Sequence, residues 1–179
     1  MRHLLALLVL VVLTACGDSG ASSEAVGDRP TDVGFVTELM HRDAGLLNLL
    51  DAGLGRDLDP AVVAATDQLR IETVQRLEES ADLLESWDAK VPVTVRDHSV
   101  GHGHSSDHDV PTLEGVPTGE DVQSLPARGP AFEAEFVRLL TAALESTRSL
   151  AQSFDAAEPK AGDLAEAAST SCSTTLDAI

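Results

Sequence analysis

Apolar residues recur every three or four positions along much of the chain, the spacing that places them on one face of an α-helix. The first such stretch runs from Thr31 to about Leu54, with Thr31 and Asp32 as candidate caps. The second begins at Asp59-Pro60, a cap followed by proline at the first helical position, and ends near Trp87. A short loop joins them, so they are predicted to form an antiparallel hairpin. Their predicted apolar stripes are Phe35, Leu39, Leu46, Leu50 and Leu54 in the first helix, and Val63, Ile71, Val74, Leu77, Ala81 and Leu84 in the second.

The second half of the chain shows a similar pattern. Pro130 opens an amphipathic stretch that reaches Phe154, with a stripe of Phe132, Phe136, Leu140, Leu144, Leu150 and Phe154. After the break at Glu158-Pro159, residues 162–179 are rich in Ala and Leu but also in Ser and Thr. We predict a fourth, weaker helix there, with disorder as the alternative. Residues 89–129 carry prolines, glycines and histidines and are predicted to be a linker with at most one short helix, near residues 120–125.

These elements predict the fold class. No segment shows the alternation of a β-strand, and two helix hairpins joined by a long crossover favour an all-α, antiparallel four-helix bundle. A faint internal repeat agrees with this, because one spacing of residues occurs twice: Phe35, Leu39 and Leu50, then Phe136, Leu140 and Ala151. We therefore expect Phe35 and Phe136 to be buried at equivalent places in the two hairpins.

The N-terminus has the pattern of a lipoprotein signal peptide. Arg2 precedes an unbroken apolar run from Leu4 to Leu13, and Leu13-Thr14-Ala15-Cys16 closes it with small residues before a cysteine. Ten apolar residues rise about 15 Å as helix, half of a bilayer core, so the run is not predicted to span a membrane. The alternative is an ordinary secretory signal cleaved elsewhere. We predict a signal peptide over residues 1–15, a flexible tether over 16–30 and the bundle over 31–179, with two acyl chains, such as palmitate, on Cys16 as membrane anchor.

The charge of the chain limits its possible binding partners, and its cysteine content limits the ways in which the fold can be stabilised. Loss of residues 1–15 would leave 11 basic and 30 acidic residues, a net charge of −19. Such an acidic chain is not expected to bind nucleic acid. With Cys16 acylated, Cys172 is the one remaining cysteine and no intramolecular disulfide can form. Stability is therefore expected to come from packing.

The sequence offers no convincing catalytic group. It has no glycine-flanked serine elbow, and Cys172 lies in a Ser/Thr-rich stretch without a nearby histidine. Glu38-Leu39-Met40-His41 has the Glu-x-x-His form of dinuclear iron sites, but about 0.4 such pairs are expected by chance in a chain of this composition, so one occurrence carries little weight. Helical spacing also places His41 nearly opposite the apolar face, so it is expected to face water. We predict that the protein is not an enzyme.

Histidine and aspartate are concentrated in the linker. Four of the five histidines of the mature chain fall within residues 98–108, on a glycine-rich segment. Imidazole and carboxylate groups suit Zn²⁺, Cu²⁺ or Ni²⁺. The alternative is a solvated linker that binds nothing. The candidate ligands are His98, His102, His104, Asp107, His108 and Asp109.

Two segments carry a resemblance to a known family. Residues 109–140, DVPTLEGVPTGEDVQSLPARGPAFEAEFVRLL, resemble the middle of the domain of unknown function (DUF) 305 family, and residues 35–50, FVTELMHRDAGLLNLL, resemble its first helix. Gln75, Glu78 and Trp87 fit the family pattern loosely. The resemblance implies an exported, ferritin-like four-helix bundle of two hairpins, from a family with a poorly defined role in which copper or other metals are suspected.

The chain departs from the family pattern at the positions of two histidine pairs. The first pair falls on Arg42-Asp43 and the second on Ala143-Leu144, while methionine is reduced to Met1 and Met40. The soft ligands that copper(I) prefers are therefore missing, and a metal inside the bundle is not expected. The spacing directs Arg42 and Asp43 towards the flank of the apolar face. They are expected to form either an arginine–carboxylate pair inside the bundle or a salt bridge at its rim.

Together these features predict a membrane-anchored extracytoplasmic lipoprotein of the DUF 305 type that binds divalent copper or zinc through its linker. The alternative is a structural or protein-interaction module of the cell envelope that presents an acidic surface to a partner protein. A ferritin-like enzyme is the third possibility.

Overall fold

The computed structural model describes residues 29–96 and 111–179, and this part of the chain contains helices and no strand. Four long helices, α1 (Arg29–Gly53), α2 (Pro60–Ser86), α4 (Pro130–Ser153) and α5 (Pro159–Ala178), are accompanied by the short α3 (Gly119–Gln123). α1 pairs with α2 and α4 pairs with α5, while α2 lies against α5 and α1 against α4. The two hairpins form the predicted antiparallel four-helix bundle, of ferritin-like type.

Local sequence signals account for most of the helix starts. The Asp59 side chain accepts a hydrogen bond of 2.7 Å from the backbone N–H of Ala61, and Pro60 occupies the first turn of α2. α3 begins with a capping box between Thr118 and Asp121. α4 and α5 each begin with a proline. α5 also buries Leu164, Ala168 and Cys172, so the C-terminal segment is a packed helix and not disordered.

Asp32 does not cap the first helix, contrary to expectation, because α1 begins at Arg29. Its carboxylate is fully buried and accepts hydrogen bonds from the backbone N–H groups of Ala157 (3.1 Å) and Glu158 (2.9 Å). These N–H groups lie just before α5. Asp32 therefore connects the start of the first hairpin to the turn of the second.

The apolar core consists of two clusters at opposite ends of the bundle. One surrounds Phe132 and Phe136, whose rings stack at 5.7 Å, and the other surrounds Phe35, which stacks on Phe154 at 3.8 Å. All six residues of the internal repeat are buried. Because α1 and α4 run in opposite directions, the equivalent phenylalanines lie in opposite clusters.

The face of α2 that is buried differs from the predicted one. Val63, Ile71 and Val74 were expected in the core but are exposed, as is Leu54 at the end of α1. α2 instead buries a face that is half polar: Val62, Thr66, Leu69, Thr73, Arg76, Ser80, Leu83 and Leu84. The spacing of apolar residues predicted the wrong buried face for α2, because polar residues occupy much of the face that is in fact buried.

The end of the linker packs between α1 and α4. Val116 lies so close to Gly45 that an added Cβ there would approach its Cγ1 to 2.4 Å. Gly115 has a positive φ of 75°, and an added Cβ would lie 2.5 Å from the Ser146 side chain. Glycine is required at both positions, which fixes this part of the linker against the bundle.

We predict that Phe35→Ala and Phe136→Ala each lower the free energy of unfolding by about 3 to 5 kcal/mol, because each leaves a cavity in a core cluster. Urea denaturation measures the change. Ile71→Ala is the control and should cost less than about 1 kcal/mol, since Ile71 is 64% exposed. Losses at both phenylalanines as small as the control would contradict the two-cluster core.

Candidate functional site

A buried ion pair lies at the centre of the bundle. The Asp43 carboxylate of α1 accepts two hydrogen bonds from the Arg76 guanidinium of α2: Nη2 to Oδ1 at 2.6 Å and Nε to Oδ2 at 2.9 Å. Asp43 is 0% exposed and Arg76 is 2% exposed. Two parallel bonds match the planar fork of arginine to both oxygens of a carboxylate.

The second hairpin completes this site through α5. Arg76 donates a further hydrogen bond from Nη1 to Ser171 Oγ at 3.0 Å, and Ser171 Oγ donates to the backbone carbonyl of Ala168 at 3.2 Å. Thr147 of α4 is also buried and lies between Leu144 of one core cluster and Ala151 of the other. Along every long helix, the residue of this layer falls between members of the two apolar clusters. We call Asp43, Arg76, Thr147 and Ser171 the central polar layer.

Burial and ion pairing shift the pKa values of the layer in opposite directions. It raises the pKa of Asp43, an effect that the charge and hydrogen bonds of Arg76 oppose. Burial alone would lower the pKa of Arg76, but the Asp43 carboxylate raises it overall. Burial also raises the pKa of the Cys172 thiol to about 11. At neutral pH the thiol is protonated, so Cys172 is a poor nucleophile and a poor metal ligand.

Arg42 does not pair with its neighbour Asp43. Its guanidinium binds Glu38 Oε1 from Nε (3.0 Å) and Nη2 (2.7 Å), Ser146 Oγ (3.0 Å) and the backbone carbonyl of Glu114 (3.2 Å). The sequence left two alternatives for Arg42-Asp43, a pair inside the bundle or a salt bridge at its rim. The structure contains both, because each of the two residues pairs with a different partner. Arg42 forms the rim salt bridge and fastens the linker, while Asp43 forms the interior pair with Arg76. The sequence reading missed Arg76, although it lies seven residues from both buried Leu69 and buried Leu83.

His41 is less exposed than its helical position suggested. It is half-buried, and its Nδ1 is buried without a hydrogen-bond partner among the described residues. Burial lowers the pKa of His41, and the charge of Glu38 partly opposes that shift. Glu38 itself binds Arg42, so the Glu-x-x-His sequence does not form a metal-binding pair.

The central polar layer does not fit a metal ion. The Arg76 guanidinium holds both oxygens of the single carboxylate and brings a positive charge to the place where a cation would bind. In residues 29–96 and 111–179, no group of three or more His, Cys, Asp or Glu side chains is arranged to hold a metal. The predicted ligands His98, His102, His104, Asp107, His108 and Asp109 lie outside the described residues.

The predicted lipidation site, Cys16, also lies outside the described residues. Within the part that the structure covers, no helix combines the length and apolar character needed to cross a membrane.

Comparison with known proteins confirms the fold. The chain matches no protein-family model and no curated protein. It is similar to the crystal structure of a DUF305 fragment from Deinococcus radiodurans, with a TM-score of 0.64 and 17% sequence identity over 83% of this chain and 91% of that one. The DUF 305 resemblance seen in the sequence is thus confirmed as a shared fold.

We predict that breaking the central pair is costly and that replacing both partners is not. Asp43→Leu and Arg76→Met should each lower the free energy of unfolding by about 3 to 5 kcal/mol, because each leaves one buried charge without its partner. The double variant should lie within about 1 to 2 kcal/mol of wild type or exceed it, since it buries no charge. Urea denaturation of the four proteins gives the coupling energy.

The pH dependence of the stability of the Arg76→Met variant is a second test of the pair. Without its partner, Asp43 binds a proton more readily in the folded than in the unfolded chain, because burial raises its pKa. Stability of this variant should therefore increase as the pH falls from 7 towards the unfolded-state pKa of about 4, relative to the double variant. Additive losses in the double variant, with no such pH dependence, would show that the pair is not coupled.

Proposed function

We propose that this chain is a lipid-anchored extracytoplasmic protein that binds a divalent transition metal, copper or zinc, through the histidine-rich segment of its linker. The bundle acts as a scaffold that binds no metal itself. The observation that carries the proposal is the concentration of four histidines in residues 98–108 of a chain whose bundle centre is occupied by an ion pair.

Contacts on both sides of the histidine segment attach the linker to the bundle, which supports a metal site in the segment between them. Before it, Arg96 Nη1 binds Asp51 Oδ2 of α1 at 2.8 Å. After it, the Glu114 carbonyl accepts from Arg42, also on α1. The chain on either side is therefore held to one helix, and fixed ends reduce the conformational entropy that ligands lose when they gather around an ion.

The test is calorimetric titration of the chain from residue 16 onward, with Cys16→Ser to prevent acylation, using Zn²⁺, Cu²⁺ and Ni²⁺. Replacing His98, His102, His104 and His108 together by Gln should abolish binding without changing thermal stability. His41→Gln is the matched control and should bind as wild type does. Lowering the pH from about 7.5 to 5.5 should weaken binding, because a protonated imidazole has no lone pair to donate.

Two results would overturn the metal proposal. One is undiminished binding by the four-glutamine variant, and the other is the absence of binding by wild type at micromolar metal. In either case the linker does not bind metal as proposed.

Membrane attachment rests on the N-terminal sequence. We predict that Cys16→Ala abolishes membrane retention but leaves the bundle folded, because the acyl chains attach only there and a tether separates them from the core. Fractionation and labelling with a radioactive fatty acid test this, with Cys172→Ala as the control that should still be labelled. Equal labelling of Cys16→Ala and wild type would rule out the anchor.

A further inference from the structure

The bundle has two lateral grooves of different character. The groove between α1 and α4 is filled by the chain itself: Val116 packs on Gly45, Gly115 on Ser146, and Val122 and Leu125 pack against the core. The groove on the opposite side, between α2 and α5, consists of two adjoining cavities of 430 and 490 Å³. Of the residues that the structure describes, those that line the two cavities all belong to α2 or α5.

The two cavities form one continuous groove. They share Glu79, Asp163 and Ala167, and the lining runs from Glu72 to Ser86 on α2 and from Lys160 to Thr174 on α5. Fifteen helical residues on each wall correspond to a length of about 21 Å. A partner helix of about 14 residues matches this length.

The floor of the groove is apolar in the 490 Å³ cavity and polar in the 430 Å³ cavity, where Arg76 and Ser171 line it, and the rim is acidic throughout. Leu83 and Leu164 are buried at its base, beside the small side chain of Ala167. Two cations line it: Lys160 at one end, and Arg76, whose charge is balanced by Asp43. The rim carries five carboxylates, Glu72, Glu79, Asp82, Asp163 and Glu166.

We propose that this groove binds a positively charged amphipathic helix of a partner protein. The apolar ridge of such a helix would pack on exposed Ala167 and on the small accessible parts of Leu83 and Leu164. Lysine or arginine stems would extend along the walls so that their charged ends reach the carboxylates. A second copy of this chain is a poor occupant, because each copy carries a net charge of −18. The proposal does not depend on metal binding by the linker, since the two involve different residues.

The probe is a fluorescent helical peptide of about 14 residues with Leu and Ala along one face and Lys along both flanks, titrated with the chain from residue 16 onward carrying Cys16→Ser. Fluorescence anisotropy should show saturable binding that weakens with salt. A peptide with Glu in place of every Lys should not bind.

Matched variants locate the binding site. Glu79→Gln with Asp163→Asn, which removes the acids shared by the two cavities, should weaken binding by about tenfold. Glu78→Gln with Glu145→Gln removes the same charge from exposed positions outside the groove and should change binding by less than about twofold. Ala167→Trp should block the groove and weaken binding by at least about tenfold, whereas Ala64→Trp, at an exposed position elsewhere on α2, should not.

Three results would overturn the proposal: no saturable binding of the lysine peptide, equal weakening by the two pairs of acid substitutions, or unchanged binding by Ala167→Trp. Adding a chelator and using the four-glutamine linker variant keeps the test separate from metal binding. The affinity for the lysine peptide should be the same with and without the chelator, and the same for the four-glutamine variant as for wild type, whatever the outcome of the metal titrations.

Discussion

The ion pair between Asp43 and Arg76 constrains the rest of the bundle. A charge buried this completely is tolerated only with its partner in place, and here the partners belong to different helices, with a third, α5, supplying Ser171. Sliding α1 by one turn against α2 would separate the two charges inside the protein. The pair therefore favours one register of α1, α2 and α5, because any other alignment would leave both charges buried without a partner.

The sequence predicted the helices well but predicted their inner faces unevenly. Pro60, Pro130 and Pro159 mark helix starts, and the repeated phenylalanines are buried, because these signals are local or purely apolar. α2 was misread because Thr73, Arg76 and Ser80 face inward while Val63, Ile71 and Val74 face outward. Polar residues that pair across helices carry no local mark, and only the neighbouring helices show that Arg76 has a partner. Asp32 was assigned to its own helix for the same reason, since the N–H groups that it accepts from belong to a turn 125 residues away.

Residues at the centre of the bundle have structural roles in this chain. The Arg42-Asp43 dipeptide falls where the resemblance to the DUF 305 family places a histidine pair, and both residues instead hold parts of the fold together. Arg42 fastens the linker to α1 and α4, which leaves the groove between those helices filled. Among residues 29–96 and 111–179, only α2 and α5 line the groove between them, and the carboxylates at its rim do not belong to the ion pair. Because the ion pair occupies the centre of the bundle, the binding sites proposed above lie away from it, in the linker and in the groove between α2 and α5.

The similarity to the DUF305 fragment shows that the fold persists when most side chains differ. At 17% identity and a TM-score of 0.64, the two chains share an arrangement of helices and few side chains. A four-helix bundle permits this, because each long helix contributes one residue to the central layer and the apolar clusters on either side supply most of the packing energy. Replacing that layer alters the interior chemistry without altering helix length or connection, provided that every buried polar group keeps a partner. The fold thus defines where a central site lies, while in this chain Asp43, Arg76 and Ser171 occupy that site with a hydrogen-bonded ion pair.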